Sequence, residues 1–585
     1  MINTCVSPGN RSILCVLLNR TKLLVRTFIL FAAAAQGIGA QETTTPWWKH
    51  AVIYEIYPRS FQDTKGDGVG DLNGITARLD YLRDLGIDAV WITPVYPSPQ
   101  VDFGYDISDY KAIDPQYGAM EDFDRLVREA RKRNIRVIMD FVANHTSDQH
   151  PWFKASRSSR DNPKRDWYIW RDGKAPGQPP NNWLSWFGHS AWTLDPATTQ
   201  YYYHYFYVQQ PDLNWRNPAV REAMYDVLRF WLDRGVAGFR IDAVSRLFED
   251  PGLHDDPILP GTNAYGDPNI EHKYTDNLPE VHDVLREMRQ VVDKYPGNPV
   301  LISEAFEPNV AELTRMYGEH GDEVQLPMDF QVADVDKLSA PEFRKLLDEI
   351  ESNPAAGQPY FFFSNHDQVR PWDRYGDGVH NDQIAKLMAT LLLTARGTPQ
   401  MYYGEELGMR TTPPTRKEDV KDPIGKIGWP QEKGRDGERT PMQWDDSKDA
   451  GFSTAERTWL PVASDFVQRN ASAEAQDPDS ILNFYKRLIA LRRSEPALRD
   501  GGYLAVNRDD AQVLSFLRKN PGAGESVLVA LNMSAQTRTL RFDLTGAGVK
   551  GKSGRPLVPL SGGQDSVSLS RITLPPFGVL VAAVK

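Results

Sequence analysis

The sequence is poor in cysteine, with only Cys5 and Cys15 among its 585 residues. Two thiols cannot build a disulfide framework or a four-thiolate metal site, so both are excluded. The sequence also lacks a basic excess: 67 Lys and Arg face 78 Asp and Glu, and the formal charge is −11. This balance argues against nucleic acid as a partner, which requires a basic face. Hydrophobic residues make up 41% of the chain, enough to bury a large core, so wholesale disorder is excluded as well.

Both cysteines lie within residues 1–40, which carry four basic side chains and no acidic one. A short apolar run at 28–35 precedes small residues up to Ala40, an order typical of a secretory signal peptide. The run is shorter than the roughly 20 residues of a membrane span, so no stable membrane anchor is expected. An uncleaved anchor and a mis-set start codon are the alternatives. Removal of 1–40 predicts a periplasmic or secreted chain without cysteine, and the loss of four basic residues changes its formal charge from −11 to −15.

After Trp47, short β-branched or aromatic segments alternate with amphipathic helical segments. This alternation predicts βα units and a parallel sheet, that is, an α/β fold. Counting a weaker candidate at 324–328 brings the strands to eight, which points to a (β/α)8 TIM barrel. The other predicted strands are 52–57, 89–93, 136–142, 238–242, 300–304, 360–364 and 399–403, and the main predicted helices are 75–85, 121–133, 219–234 and 383–394.

Two regions depart from the barrel pattern. Residues 146–214 lack long helical periodicity and are rich in Trp, Tyr and Pro, which predicts an inserted, loop-rich domain after the third strand; a connection of this length is usually functional. Residues 501–585 contain short alternating runs separated by turn residues, which predicts a C-terminal antiparallel β domain. The barrel itself is then assigned to 46–145 and 215–500, with a polar excursion at 411–441.

Acidic residues directly follow three of the predicted strands: Asp242, Glu304 and Asp367. Taken singly, such an acid is more often a surface or salt-bridge residue. In a barrel, however, the loops after the strands form the active-site face, so the three can converge there. A carboxylate cluster without a Cys–His pair suits the chemistry of glycosidic bonds, in which one acid attacks and a second protonates the leaving oxygen.

Four stretches resemble the signature regions of the α-amylase family, glycoside hydrolase family 13: 140–145, 238–242, Glu304 after its strand, and 365–367. The order and spacing hold over nearly the whole chain after the leader. Three further stretches resemble the α-glucosidase and oligo-1,6-glucosidase branch of that family: 101–107, 210–214 and 439–444. The resemblance implies an enzyme that hydrolyses terminal, non-reducing α-glucosidic bonds of short oligosaccharides or disaccharides, with retention of configuration through a covalent glucosyl-enzyme.

The resemblance also implies catalytic roles. Asp242 would be the nucleophile, Glu304 the general acid and then base, and Asp367 the residue that holds the glucose 2- and 3-hydroxyls. Arg240 would keep Asp242 ionised through a charge-assisted pairing that lowers the pKa of that carboxyl.

The remaining implied roles concern substrate binding. His145 and His366 would donate hydrogen bonds to glucose hydroxyls, and Tyr105 would stack on that sugar. Asp102 and Arg439 would form the pair that closes the pocket over the non-reducing end. Without the surrounding motif, His145 would instead be interpreted as a buried core histidine with no role in binding.

Ala243, directly after the proposed nucleophile, is the local indicator of bond specificity. In the branch that the sequence resembles, a small residue or threonine here accompanies α-1,4 (maltase-like) preference, and valine accompanies α-1,6 cleavage. The alternative is that Ala243 merely packs beneath the strand.

Residues 63–71 resemble the calcium loop of the family, with predicted oxygen ligands on Asp63, Asp67, Val69 and Asp71. Lys65 occupies a position where relatives commonly offer asparagine, and its ammonium could replace the ion. We therefore expect that no cofactor is required, with a structural Ca²⁺ as the alternative.

Two other functions use the same framework. A glucosyl-transferring or sucrose-isomerising enzyme would form the same covalent intermediate, and the residues named above do not separate it from a hydrolase. A non-catalytic binding subunit would be expected to have lost catalytic acids, whereas Asp242, Glu304 and Asp367 are all present.

Overall fold

The computed structural model describes residues 45–353, 357–559 and 565–585. The predicted signal peptide, with Cys5 and Cys15, lies outside these residues. Within them, each helix is too short or too polar to cross a membrane.

Eight parallel strands, named β1 to β8, form the central barrel. Their order around the sheet is β6-β5-β4-β3-β2-β1-β8-β7, and a parallel bridge between Met328 and Tyr360 joins the two ends. The predicted (β/α)8 barrel is thus confirmed. The strands are β1 Ile53–Ile56, β2 Ala89–Ile92, β3 Arg136–Val142, β4 Gly238–Asp242, β5 Val300–Ser303, β6 Leu326–Pro327, β7 Tyr360–Phe361 and β8 Thr398–Tyr402.

The barrel strands are buried on both faces, as expected for a parallel sheet covered by helices. In β1 all four residues are buried, and successive side chains point to opposite faces. Ile53 joins the cluster inside the barrel, whereas Tyr54 packs in the cluster between strands and helices. This two-sided burial produces the continuous apolar runs from which the strands were predicted.

Helices surround the barrel and contribute to the connections between strands. The predicted helix 75–85 is two helices, because Arg78 leaves helical geometry with φ −99° and ψ 6°. Asp71 caps the first of them by accepting a hydrogen bond from the Gly74 N–H. The α-helices are Pro58–Phe61, Leu72–Ala77, Leu79–Leu85, Met120–Lys132, Pro151–Ser158, Pro218–Asp233, Val281–Val292, Val310–Arg315, Phe330–Ala333, Ala340–Ser352, Pro371–Arg374, Asn381–Thr394, Pro423–Gly428, Ala471–Gln476, Ile481–Ser494 and Pro496–Asp500.

The loop-rich insertion follows β3, as predicted. It contains a three-stranded antiparallel sheet in which Gln200–Tyr203 lies between Trp170–Arg171 and Trp192–Asp195. Bridges from His145 to Asp212 and from Tyr168 to Leu213 fasten its base beside the end of β3. The insertion therefore stands over the carboxyl ends of the barrel strands.

A hairpin of Ile258–Thr262 and Pro268–Ile270 follows β4 and was not predicted. All residues of its first strand are exposed, so it has no apolar face from which sequence periodicity could arise.

The C-terminal region forms the predicted antiparallel β domain. Its main sheet packs against the barrel helices through Leu514, Phe516, Val527 and Val529, which belong to the same apolar cluster as those helices. The strands of this sheet, in spatial order, are Gly502–Ala505, Val513–Lys519, Ser526–Asn532, Val579–Val584, Ser553–Pro556 and Val567–Ser568; a separate pair is Arg538–Leu540 with Ile572–Leu574.

Candidate active site

The three predicted catalytic acids meet at the carboxyl ends of the strands. Asp242 is the last residue of β4, Glu304 directly follows β5, and Asp367 lies in the loop after β7. Strands β4 and β5 pair in register, and the Glu304 N–H donates to the Ile241 carbonyl at 2.9 Å. All three acids line one cavity of about 630 Å³.

Arg240 lies beneath the acids as a fully buried cation. It projects from the same face of β4 as Asp242, because the two are two residues apart on a strand. Its Nη1 donates to Asp242 at 2.6 Å and to Asp140 at 3.2 Å, and its Nη2 forms an ion pair with Glu304 at 2.7 Å. Three carboxylates thus share one guanidinium, which fixes their relative positions. Asp140 lies in a motif recognised from the sequence but was given no role there.

Burial dominates the electrostatics of the two central acids. Burial raises the pKa of Asp242 above its ordinary range, and Arg240 opposes the rise without cancelling it. The predicted net lowering of the Asp242 pKa is therefore wrong: the effect of Arg240 has the expected sign, but loss of water is the larger effect. Burial likewise raises the pKa of Glu304 to about 7. The charge of Asp242 adds to this rise, and Arg240 opposes it.

Asp367 is held by two arginines. It accepts from Arg439 at 2.6 Å and from Arg435 at 3.1 Å. Burial favours the protonated carboxyl, but His366, Arg435 and Arg439 together outweigh it and hold the pKa of Asp367 well below its usual range. Asp367 is therefore an anion at neutral pH.

The inner end of the cavity is closed by a pair different from the predicted one. Asp102 accepts from Arg435 at 2.8 Å, so its predicted pairing with Arg439 is wrong. Arg439 lies deeper, where it donates to Asp367 and to the His366 carbonyl. Arg435 also bonds Asp422 at 2.8 Å, and this carboxylate is fully buried. Arg435 thereby bridges Asp102 and Asp367 across the end of the cavity.

The predicted histidine and tyrosine ligands form a layered arrangement beside the acids. The Tyr105 ring lines the cavity and stacks on His366, with ring centroids 5.3 Å apart and planes within 11°. The His366 Nε2 bonds the Tyr105 hydroxyl at 2.8 Å, and its Nδ1 bonds Glu55 at 2.6 Å. His145 lines the cavity, and burial lowers the pKa of His145 to about 3, so its imidazole is neutral.

Ala243 borders the cavity between the two central acids. Its N–H donates to Glu304 Oε2 at 2.8 Å, and it has a left-handed backbone with φ 46° and ψ 40°. Ala243 therefore lines the cavity beside both acids.

The outer part of the cavity is aromatic, and sequence reasoning did not predict which residues form it. Trp186 from the insertion and Phe306 after β5 are partly exposed, by 47% and 38%. Arg246 lies against both rings, 5.4 Å and 6.0 Å from their centroids. The abundance of Trp and Tyr in 146–214 was the available signal. Tyr205 and Tyr265 line the same region.

The loop 63–71 is internally hydrogen-bonded. Asp63 accepts from the N–H groups of Lys65, Gly66 and Gly68 at 2.8 Å each, and from Ser453 at 2.5 Å. The Lys65 Nζ instead donates to the carbonyls of residues 115 and 116, so it does not take the place of an ion among the loop carboxylates.

Two of the remaining predicted ligands, Asp67 and Asp71, are also hydrogen-bonded to neighbouring residues. Asp71 accepts from Thr64 and from the Gly74 N–H, and Asp67 accepts from the Val69 N–H. In the part of the chain that the structure describes, no group of three or more His, Cys, Asp or Glu side chains is placed to hold a metal ion. As arranged, these residues do not fit calcium.

Comparison with known proteins gives consistent matches. Residues 55–501 match the alpha amylase catalytic domain. The chain is 44% identical to a probable alpha-glucosidase of Rhizobium meliloti, over 85% of this chain and 91% of that protein. It is 42% identical to an oligo-1,6-glucosidase of Heyndrickxia coagulans, over 84% and 93%. Among solved structures, trehalulose synthase from Pseudomonas mesoacidophila superposes with a TM-score of 0.84 at 39% identity, over 93% of this chain and 100% of that one.

Proposed function

The chain belongs to the α-amylase family of glycoside hydrolases, family 13, and on this basis we propose that it is a retaining α-glucosidase that removes terminal glucose from short α-glucosides. One observation carries the proposal: Asp242 and Glu304 share Arg240 in a cavity whose inner end is closed by Asp102, Arg435 and Asp367. A cavity closed at one end admits the end of a sugar chain and not its middle.

In the first step Asp242 attacks the anomeric carbon and Glu304 protonates the leaving oxygen. The pKa of Glu304, raised to about 7 by burial, supports this role, because a general acid is most effective with a pKa near the working pH. The short bond from Arg240 to Asp242 Oδ1 favours the ionised form of the nucleophile.

In the second step Glu304, now ionised, takes a proton from water, which attacks the glucosyl ester. Two displacements with inversion give net retention of the α configuration. The Ala243 N–H donates to Glu304 Oε2 and favours the carboxylate form that this step requires.

Binding of the terminal glucose is assigned to groups around Asp367. Its ionised carboxylate can accept from two sugar hydroxyls, and Arg435 and Arg439 keep it ionised. The Tyr105 ring offers one face to the sugar while His366 supports the other. His145 also lines the cavity, with its Nε2 3.1 Å from the Gln210 Nε2, and is assigned to a hydroxyl of the same glucose.

For the bond cleaved, we propose a preference for α-1,4 over α-1,6. The support is the small Ala243 side chain between the two acids at the cavity wall. The test is product analysis on maltose, isomaltose, sucrose and trehalose. Faster cleavage of isomaltose than of maltose would contradict the assignment.

A second candidate is glucosyl transfer or sucrose isomerisation through the same intermediate. It is favoured by the aromatic mouth of Trp186 and Phe306, which could hold an acceptor sugar over the ester, and by the likeness to a trehalulose synthase. The same product analysis separates the two, because hydrolysis releases glucose whereas transfer gives new disaccharides.

The nucleophile is tested by Asp242→Asn. We expect hydrolysis of a chromogenic α-glucoside to fall by at least about 10³-fold with the fold unchanged, since no ester can form. Asp446→Asn, an exposed carboxylate away from the cavity, is the matched control. Near-normal turnover in Asp242→Asn would remove Asp242 from the mechanism.

We further propose that the protein needs no cofactor and is exported. The internally bonded loop 63–71 supports the first part, and the basic, apolar and small-residue order of 1–40 supports the second. Sequencing of the mature N-terminus after fractionation tests export. A cytoplasmic protein that retains residues 1–40 would contradict it.

A further inference from the structure

Glu55 is a fully buried carboxyl inside the barrel, and the reaction steps above do not use it. It lies two positions after Ile53 on β1, so its side chain projects into the barrel as that of Ile53 does. Its Oε2 accepts from Gln400 Nε2 at 2.8 Å. Its Oε1 accepts from the His366 N–H at 3.2 Å and lies 2.6 Å from His366 Nδ1. Among the described residues, His366 is the one basic side chain within ion-pair distance, so the bonds of Glu55 are directed chiefly at His366.

His366 is buried in contact with two tyrosine rings. Its ring centroid lies 5.3 Å from that of Tyr105 and 5.9 Å from that of Tyr57, and both pairs are stacked. Stacking limits the tilt of the imidazole, whereas the hydrogen bonds at its two nitrogens decide which way the ring is turned. Nε2 bonds the Tyr105 hydroxyl at 2.8 Å, and Nδ1 bonds Glu55. Glu55 therefore fixes the side of the imidazole that faces away from Tyr105.

The hydrogen bonds continue from Tyr105 to the catalytic acids. The Tyr105 hydroxyl donates to Asp140 Oδ2 at 3.1 Å, and Asp140 shares the Arg240 guanidinium with Asp242. A rotation of His366 would therefore disturb the aromatic ring that lines the cavity and the hydrogen bonding of Asp140 together.

The protonation of the pair follows from its burial. Burial raises the pKa of Glu55 and lowers the pKa of His366, which favours the neutral form of each. In these forms the Glu55 O–H donates to Nδ1, the Nε2–H donates to the Tyr105 hydroxyl, and that hydroxyl donates to Asp140. The bond at one ring nitrogen thus decides which nitrogen carries the proton. A glutamine amide can donate to Nδ1 in the same way, whereas a methionine side chain of similar length cannot.

We propose that Glu55 is a positioning residue: it holds His366, and His366 holds the Tyr105 ring in the orientation on which the terminal glucose stacks. The proposal rests on the proposed α-glucosidase function, in which Tyr105 contacts the glucose bound at Asp367. Glu55 does not line the cavity and acts only through His366. Without Glu55, Nδ1 would be buried without a partner, which is unfavourable, so the imidazole should turn and release Tyr105.

Three variants separate this role from a general effect on stability. Glu55→Met should raise KM for the preferred disaccharide and Ki for glucose as a competitive inhibitor about tenfold, in the lower part of the range expected when a buried polar group loses its partner. Glu55→Gln should keep both constants within about threefold. Glu406→Met is the matched control, because Glu406 is also fully buried but bonds the hydroxyls of Tyr54 and Tyr81. It should lower the melting temperature and leave both constants within about twofold.

Each result bears on the proposal. Constants in Glu55→Met within about twofold of the wild type, or an equal rise in Glu406→Met, would refute it. If Glu55→Met does not fold, Glu55→Gln decides: a rise of both constants beyond about tenfold in this folded variant would refute a role that a neutral hydrogen-bonding side chain can fill.

Crystal structures of the variants separate this proposal from the proposed function. In Glu55→Met the Tyr105 hydroxyl should move out of hydrogen-bond distance of Asp140, and in Glu55→Gln it should stay. An unmoved Tyr105 in Glu55→Met would refute the positioning role. Failure of the wild type to hydrolyse maltose or isomaltose would instead refute the α-glucosidase function, and the crystal structures would still decide whether Glu55 holds Tyr105.

Discussion

Replacing Arg435 with methionine should destabilise the protein in a way that depends on pH. The guanidinium contacts Asp102 at 2.8 Å, Asp367 at 3.1 Å and Asp422 at 2.8 Å, and the arginine side chain is only 13% exposed. Arg435→Met leaves the fully buried Asp422 without its cation. Removing one partner of a buried ion pair costs about 3–5 kcal/mol, and we expect a loss of this size at pH 7.

The pKa of Asp422 gives the direction of the pH dependence. Burial would raise the pKa of Asp422, but Arg435 and Arg439 together outweigh burial and lower it to about 2, below the ordinary value of 3.8. In the wild type the ion pair therefore contributes ~2 kcal/mol above pH 3.8, and this is lost as the pH falls through about 2. In Arg435→Met burial is opposed only by Arg439 and by two backbone N–H groups, so we expect the folded-state pKa of Asp422 to rise above 3.8 and the buried carboxylate to destabilise the protein increasingly as the pH rises.

Urea unfolding followed by tryptophan fluorescence at pH 7 and pH 5 measures both effects. The difference in free energy of unfolding between Arg435→Met and wild type should be smaller at pH 5 than at pH 7. Arg416→Met is the control, because Arg416 pairs with Asp419 at the surface, where the side chains are 63% and 44% exposed and such a pair contributes about 0–1 kcal/mol. Equal losses in the two variants, or a loss that does not change with pH, would refute the reasoning.

Three further predictions concern the acid, the specificity residue and the loop. Because the free-enzyme pKa of Glu304 is about 7, kcat/KM on maltose should fall tenfold per pH unit above it; a profile flat to pH 9 would contradict Glu304 as the acid. Ala243→Val should raise the ratio of isomaltose to maltose kcat/KM about tenfold, measured by glucose release, whereas an unchanged ratio would contradict a specificity role. EDTA should leave the melting temperature unchanged, because the loop around Asp63 is bonded internally; one calcium per chain by elemental analysis would overturn this.

Sequence reasoning located two of the eight barrel strands to the residue. Strands β3 and β4 begin and end where predicted; each begins at a residue that is not apolar, Arg136 or Gly238, and each contains one internal charged residue, Asp140 or Arg240. Strands β6 and β7 have two residues each, although five were predicted for both. Pro327 has no backbone N–H, so β6 loses one hydrogen bond to its neighbouring strand. A pattern of hydrophobic residues does not indicate that the strand is shortened in this way.

Residues placed by a strand could be predicted from the strand pattern, whereas residues placed by loops were predicted only where a family motif contained them. Asp242 and Glu304 follow strands, so the barrel fixes where they meet. Arg435 lies in a loop, and its partners Asp102 and Asp422 are 333 and 13 positions away in sequence. Its position depends on how two separate loops pack, and the local sequence contains no hydrophobic periodicity that would indicate this packing. The same holds for Phe306 and Phe330, whose aromatic contact joins the loop after β5 to the helix Phe330–Ala333 that follows β6.

The closed inner end of the active-site cavity has a consequence for substrates larger than those considered so far. Under the proposed function, a cavity with one entrance acts on free chain ends, so the rate on a polymer would depend on the number of ends per gram and not on the number of bonds. One internal cut in a long chain leaves its mass unchanged and doubles the ends available to this enzyme. An activity that cleaves internal bonds would therefore supply substrate to this protein in proportion to the number of its cuts, however few glucose units those cuts release.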